Sequence, residues 1–205
     1  ITFRERSPPA NPYYLCYQFA GEPFKLYKNF PLFASDVVNI SVNVGDNNAA
    51  VVQYQKNMVF HGTNIRSGDM LKFVTSTSID HQLCSVAPPE GSIIGPKVND
   101  GILEITGPQG VGSNLLTFGE RSNGGSPFKL CYQFLGEPFV MMSLSLGIDV
   151  RDVVSVEASV GKNNEIVRDY MKSFSFFGTG MSPNDIVKFV GSGTSTDDAC
   201  NTFNS

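Results

Sequence analysis

The chain has 205 residues, with 15 Lys and Arg against 19 Asp and Glu, a formal net charge of -4 and a charged fraction of 17%. That length holds one large domain or two of about 100 residues. No basic block is present to neutralise a run of phosphates, so nucleic acid is not an expected partner, and no apolar run approaches the roughly 18 residues of a membrane span.

Gly, Ser, Thr, Asn, Val and Phe are plentiful, and turn-forming dipeptides divide the chain at intervals of roughly 8–12 residues, which predicts an all-β fold. In chain order the predicted strands are Ile1–Arg6, Tyr13–Phe19, Phe24–Phe33, Val37–Val44, Met58–Gly62, Met70–Thr75, Ile102–Thr106, Leu115–Arg121, Phe128–Phe134, Phe139–Leu146, Val153–Val160, Phe174–Gly178 and Ile186–Val190. The stretch Asn164–Lys172 has an N-cap candidate and helical apolar spacing, but its counterpart Asn48–Lys56 looks extended, so this element is left unassigned. The N-terminal Ile-Thr-Phe-Arg-Glu-Arg resembles neither a signal nor a transit peptide, and the chain is expected to be mature and soluble.

The chain repeats itself. Leu15-Cys-Tyr-Gln-Phe-Ala-Gly-Glu-Pro-Phe24 recurs as Leu130-Cys-Tyr-Gln-Phe-Leu-Gly-Glu-Pro-Phe139, 115 residues on. At that offset Thr2-Phe3 and Glu5-Arg-Ser7 match Thr117-Phe118 and Glu120-Arg-Ser122. At an offset of 116, Asp36-Val-Val38, Asn47-Asn48, Tyr54, Phe60, Gly62-Thr63, Asp69, Lys72-Phe-Val74 and Cys84 recur as well. The segment Ser85–Asn114 occurs once, between the copies.

Residues 58–150 contain six or seven predicted strands with one cysteine early and one late, a pattern that resembles an immunoglobulin-like sandwich whose disulfide joins the two sheets. On this reading residues 1–57 are closing strands of a split sandwich and residues 151–205 are opening strands of another. Tandem antiparallel sandwiches would then arise from a repeat of about 115 residues, the split one completed by strands of a neighbouring protomer. Pairing of non-identical surfaces propagates head to tail as rings or filaments, and donated strands satisfy open sheet edges. The alternative takes 1–84 and 115–205 as two closed domains with 85–114 as linker.

Four cysteines allow three connectivities. The split reading pairs Cys84 with Cys131 and links Cys16 to Cys200 between chains; the closed-domain reading pairs Cys16 with Cys84 and Cys131 with Cys200. Both imply structural disulfides and an oxidising, extracellular compartment.

Taken together, Leu-Cys-Tyr-x-Phe, Gly-Glu-Pro-Phe, Phe-x-Gly-Thr, a Gly-Asp turn and Lys-Phe-Val resemble the tandem Ig-like repeats of secreted surface and fibre proteins of aquatic microbial eukaryotes. They are also similar in organisation to subunits of helical extracellular glycofibrils. The resemblance implies that Cys16, Cys84, Cys131 and Cys200 are the disulfide set. It further implies that Ile1, Thr2, Phe3, Arg4, Glu5 and Arg6 form an assembly strand.

Asn39-Ile-Ser41 is an acceptor sequon for an N-linked glycan, and Pro8 and Pro9 lie in an extended segment suited to hydroxylation or glycosylation. Asp46-Asn-Asn48 offers oxygen ligands of the kind calcium takes, but it lacks a twelve-residue ligand series and the second copy places Lys162 at its first position. Glu22, Glu137, Asp69 and Asp185 read as turn residues. His61 and His81 have no repeat counterparts, which argues against zinc, and no hydrolase or phosphate-loop motif occurs. No cofactor, metal or catalytic residue is therefore expected. The sequence points to a non-enzymatic fibre subunit whose partner is itself, with a tandem module for adhesion or glycan binding as the alternative.

Overall fold

The computed structural model describes residues 12–108, 111–123 and 126–189. In order these form β1 (Tyr13–Tyr17), β2 (Lys25–Leu32), β3 (Asp36–Val42), β4 (Ala49–Val51), β5 (Lys56–Thr63) and β6 (Met70–Thr75). Helix α1 (His81–Val86) follows, then β7 (Ile93–Ile94), β8 (Val98–Asn99), β9 (Ile102–Glu104), β10 (Val111–Phe118), β11 (Phe128–Gln133) and β12 (Val140–Met141). A single 3-10 turn at Leu144–Leu146 leads into β13 (Asp149–Ala158) and β14 (Phe174–Thr179).

The fold is all-β. A four-stranded sheet ordered β3-β5-β10-β7 packs against a five-stranded sheet ordered β12-β11-β6-β9-β8. Alternation drives this layering: Met58 and Phe60 of β5, Leu116 and Phe118 of β10, and Leu71 and Phe73 of β6 all enter one apolar cluster between the sheets. Phe118 spans the layers, edge-on to Phe73 at 5.4 Å and stacked on Phe128 at 6.1 Å. Among the described residues, every buried hydrophobic side chain lies between Val37 and Val150.

Two hairpins flank this sandwich. β1 and β2 pair only with each other, and β14 pairs with β13, whose first residues run parallel to β4. β3, which the sequence reading placed in segment 1–57, is an edge strand of the sandwich, paired with β5 through six residues. Its Val37 and Ile40 are buried there.

Three expectations are corrected. The cysteines of the sandwich do not join its two sheets. Leu130 and Tyr132 of β11 face the core, so Cys131 between them faces outward, where it is bonded to Cys84 of α1 within a small cluster with Val74 and Met141. The disulfide pins a six-residue helix, capped by Asp80, onto the outer face of the five-stranded sheet. The strand predicted over Phe139–Leu146 stops at Met141, where the chain turns. Residues 186–189 are not a strand: β6, their counterpart, is held by β11 and β9, whereas no strand among the described residues pairs with them. The unassigned stretch 164–172 contains turns and neither helix nor strand.

A bulge shapes the edge of the sandwich. The β3–β5 register shifts between Val37 and Asn39, and a Cβ on Gly62 would collide with the backbone carbonyl of Asp36. Gly62→Ala is expected to destabilise the sandwich by about 1–3 kcal/mol, as overpacking does. Gly178 meets the carbonyl of Asp152 in the same way at the corresponding shift in β13–β14. Because that hairpin adds no buried side chain beyond Val150, Gly178→Ala should leave the main unfolding transition in place. Urea titration of both variants checks the contrast.

Candidate functional site

The features that distinguish this molecule lie in the terminal hairpins, and their geometry is built from the repeated residues. In the first hairpin Cys16 sits opposite Leu26 and Tyr17 opposite Lys25. In the sandwich Cys131 sits opposite Met141 and Tyr132 opposite Val140, the corresponding residues. The Gly-Glu-Pro turn is likewise closed in both places by a side-chain amide, Gln18 donating to the Glu22 carbonyl at 2.8 Å and Gln133 to the Glu137 carbonyl at 2.8 Å. The carboxylates of Glu22 and Glu137 play no part in those bonds.

The second hairpin matches β3–β5 in the same manner. Lys56 donates to the carbonyl of Ala49 at 2.8 Å, and Lys172 donates to that of Glu165 at 2.7 Å. Asn47 Oδ1 accepts the Val42 amide, and Asn163 Oδ1 accepts that of Ala158. Burial pushes the Lys56 ammonium below its ordinary value, only partly opposed by the nearby Asp46 carboxylate.

What differs is cover. Leu130 is 1% exposed and Leu15 40%; Tyr132 is 0% and Tyr17 49%; Phe73 is 0% and Phe189 77%. In the sandwich β11 lies between β12 and β6, and β5 lies between β3 and β10. Among the described residues β1 and β14 each have one partner strand where their sandwich counterparts have two, so within those residues they are edge strands with exposed apolar side chains.

A buried polar cluster at the end of the sandwich escapes a strand-by-strand reading. Asp69 is fully buried; it accepts the Tyr132 hydroxyl at 2.9 Å, the Leu135 amide at 2.8 Å and the Arg66 amide at 2.9 Å. Reading Asp69 as a turn residue accounts for the Arg66 bond alone. The signal for the rest was available: an acid and a tyrosine, each repeated, in a chain with few charges. Burial and then the Asp69 carboxylate push the Tyr132 phenol well above its ordinary value.

The other candidate residues are placed as follows. Cys16 is a free, exposed thiol on β1. Asn39 is exposed on β3 at the bulge, beside Ser41, whose hydroxyl lies 2.7 Å from His61 Nε2. The oxygens considered for calcium are engaged within the protein: Asn47 Oδ1 accepts Val42, and Asp46 lies 3.3 Å from the Arg151 guanidinium. Among the described residues no group of three or more His, Cys, Asp or Glu is placed to share a metal ion, and no helix is long and apolar enough to cross a membrane. Cys200, Pro8, Pro9 and the predicted assembly strand Ile1–Arg6 lie outside the described residues.

No protein-family model, curated protein or solved structure matches the chain.

Proposed function

We propose that this protein is a structural subunit of an extracellular helical fibre, assembled head to tail by completion of one half-sandwich with another. The hairpin β1–β2 of one copy closes against β13–β14 and the segment to residue 189 of the next. One observation carries the reading: Leu15, Tyr17, Phe19 and Val153, exposed in the hairpin segments, are the repeat counterparts of Leu130, Tyr132, Phe134 and Val37, which are buried in the core of the sandwich. The two surfaces are unlike each other, so each joint leaves a free surface of each kind and the association continues.

The sandwich also supplies the register. β6 pairs with β11 as Leu71 opposite Tyr132, Lys72 opposite Cys131 and Phe73 opposite Leu130. Carried to the joint, Val187 of one copy lies opposite Tyr17 of the next, Lys188 opposite Cys16, and Phe189 opposite Leu15. Residues 186–189 become a strand when β1 pairs with them as β11 pairs with β6. By the same correspondence Cys16 bonds to Cys200 of the neighbouring copy, in an oxidising extracellular setting. The exposed sequon at Asn39 carries glycan on the edge strand β3, and covers an edge that would otherwise invite side-by-side pairing.

The test is a concentration series followed by sedimentation and electron microscopy, with Leu15→Glu alongside. Wild-type chain should lengthen into polymers as concentration rises, while Leu15→Glu stays monomeric. The variant's sandwich should unfold within about 0.5 kcal/mol of wild type, as surface changes do. A wild-type chain that remains monomeric at millimolar concentration rules the reading out.

A further inference from the structure

The polar cluster of the sandwich has a divided counterpart at the two ends of the chain. Tyr132, Leu135, Arg66 and Asp69 correspond in the repeat to Tyr17, Ala20, Ser182 and Asp185. We infer that Tyr17 of one copy and Asp185 of the next form a buried latch that sets the register of the joint: the tyrosine hydroxyl and the Ala20 amide donate to the Asp185 carboxylate. This rests on the head-to-tail reading above and names the polar contact that makes the second copy its specific partner.

Both halves are already shaped for it. Asp185 accepts the Ser182 amide at 2.8 Å, the same turn bond that Asp69 makes with Arg66 at 2.9 Å, although Ser182-Pro-Asn replaces Arg66-Ser-Gly. Tyr17 leans on Phe19 with ring centroids 4.9 Å apart, as Tyr132 leans on Phe134 at 4.7 Å. The Glu22 amide closes onto the Phe19 carbonyl at 3.0 Å, as the Glu137 amide closes onto Phe134 at 2.8 Å, so the loop bearing the second donor keeps its form. Yet Tyr17 is half exposed, and its hydroxyl has no hydrogen-bond partner among the described residues. Asp185 is exposed and, among the described residues, is bonded only to its own turn. Each half presents the group that the other satisfies inside the sandwich.

The physical role is specificity. An apolar face alone tolerates sliding, whereas a one-residue slip of the β1 ladder would turn Tyr17 to the opposite face and leave a desolvated carboxylate without its donors. The joint therefore closes in one register. A charge-assisted, desolvated hydrogen bond of this kind supports about a tenfold or larger change in association.

The experiment uses the full chain and three samples besides wild type: Tyr17→Phe, Asp185→Ala, and an equimolar mixture of the two variants, each followed by analytical ultracentrifugation. Each variant alone should need about ten times the wild-type concentration, or more, to associate. The mixture should form dimers at concentrations where neither variant does, because the intact Asp185 of one meets the intact Tyr17 of the other. If wild type polymerises and the variants match it, or the mixture restores nothing, the latch is wrong while the assembly stands. If wild type does not associate at all, the assembly reading itself has failed.

Discussion

Replacing both Cys84 and Cys131 by alanine is expected to lower the unfolding free energy by roughly 4 kcal/mol, the chain-entropy value for a loop of this length. The bond closes 47 residues of sequence, which include β7, β8, β9 and most of the connections around the five-stranded sheet. Its second effect is local. A six-residue helix is too short to persist by its own hydrogen bonds. What holds α1 in place is the Asp80 cap, the small cluster of Val74, Met141 and the two sulfurs, and the covalent link itself. The double variant should therefore lose protection of the α1 amides before the sheets open, which hydrogen exchange detects. Denaturant titration gives the global loss; a change below about 1 kcal/mol would mean that the helix and its sheet are held by packing alone. Reductant should reproduce the effect in the wild-type chain, since Cys16 takes no part in the intrachain bond.

How much of this was legible in the sequence depends on the range over which each feature is specified. β6, β10 and β11 were legible as strands, but alternation does not give all of their burial: Lys72 and Val74 are buried beside Leu71 and Phe73, and β10 starts at Val111, ahead of the predicted Leu115, with Gly112 and Asn114 buried and Leu115 exposed. β4, β7 and β8 have two or three residues each and carry no periodicity to read. Helix α1 has no apolar stripe, and the only cue to it is Asp80 ahead of His81. The cysteine spacing left the pairing open, because three connectivities satisfy it; what decides it is that Cys131 points away from the core between two residues that point in. The repeat was fully legible, and with it the expectation of open sheet edges at both ends of the chain; which side chains those edges expose was not. Leu15 and Leu130 have almost the same neighbours in sequence, yet one is buried and the other exposed. Burial here depends on which strand lies alongside, and no local window contains that strand.

The cluster on which the proposed latch is patterned is intact in the sandwich, so its worth can be measured there first. Asp69→Ala should destabilise the sandwich by about 3–5 kcal/mol, the range for removing one partner from a buried, hydrogen-bonded charge. The substitution leaves the Tyr132 hydroxyl and the Leu135 amide without an acceptor, and it opens the turn that Arg66 and Asp69 close. Tyr132→Phe should cost about 1–2 kcal/mol, because the carboxylate keeps its two backbone donors and only one bond is lost. The two variants also differ in their dependence on pH. The folded-state phenol is held above its ordinary value, so the contribution of Tyr132 is complete below about pH 10 and shrinks as the pH rises further, when only the unfolded chain releases the proton. Burial shifts Lys56 and Lys72 downward, which acts with the opposite sign but equally in both proteins. The stability difference between wild type and Tyr132→Phe thus isolates the phenol, and it should narrow above pH 10. A gap that stays constant up to pH 11 would mean that the hydroxyl ionises as readily in the core as in water, against its burial beside Asp69.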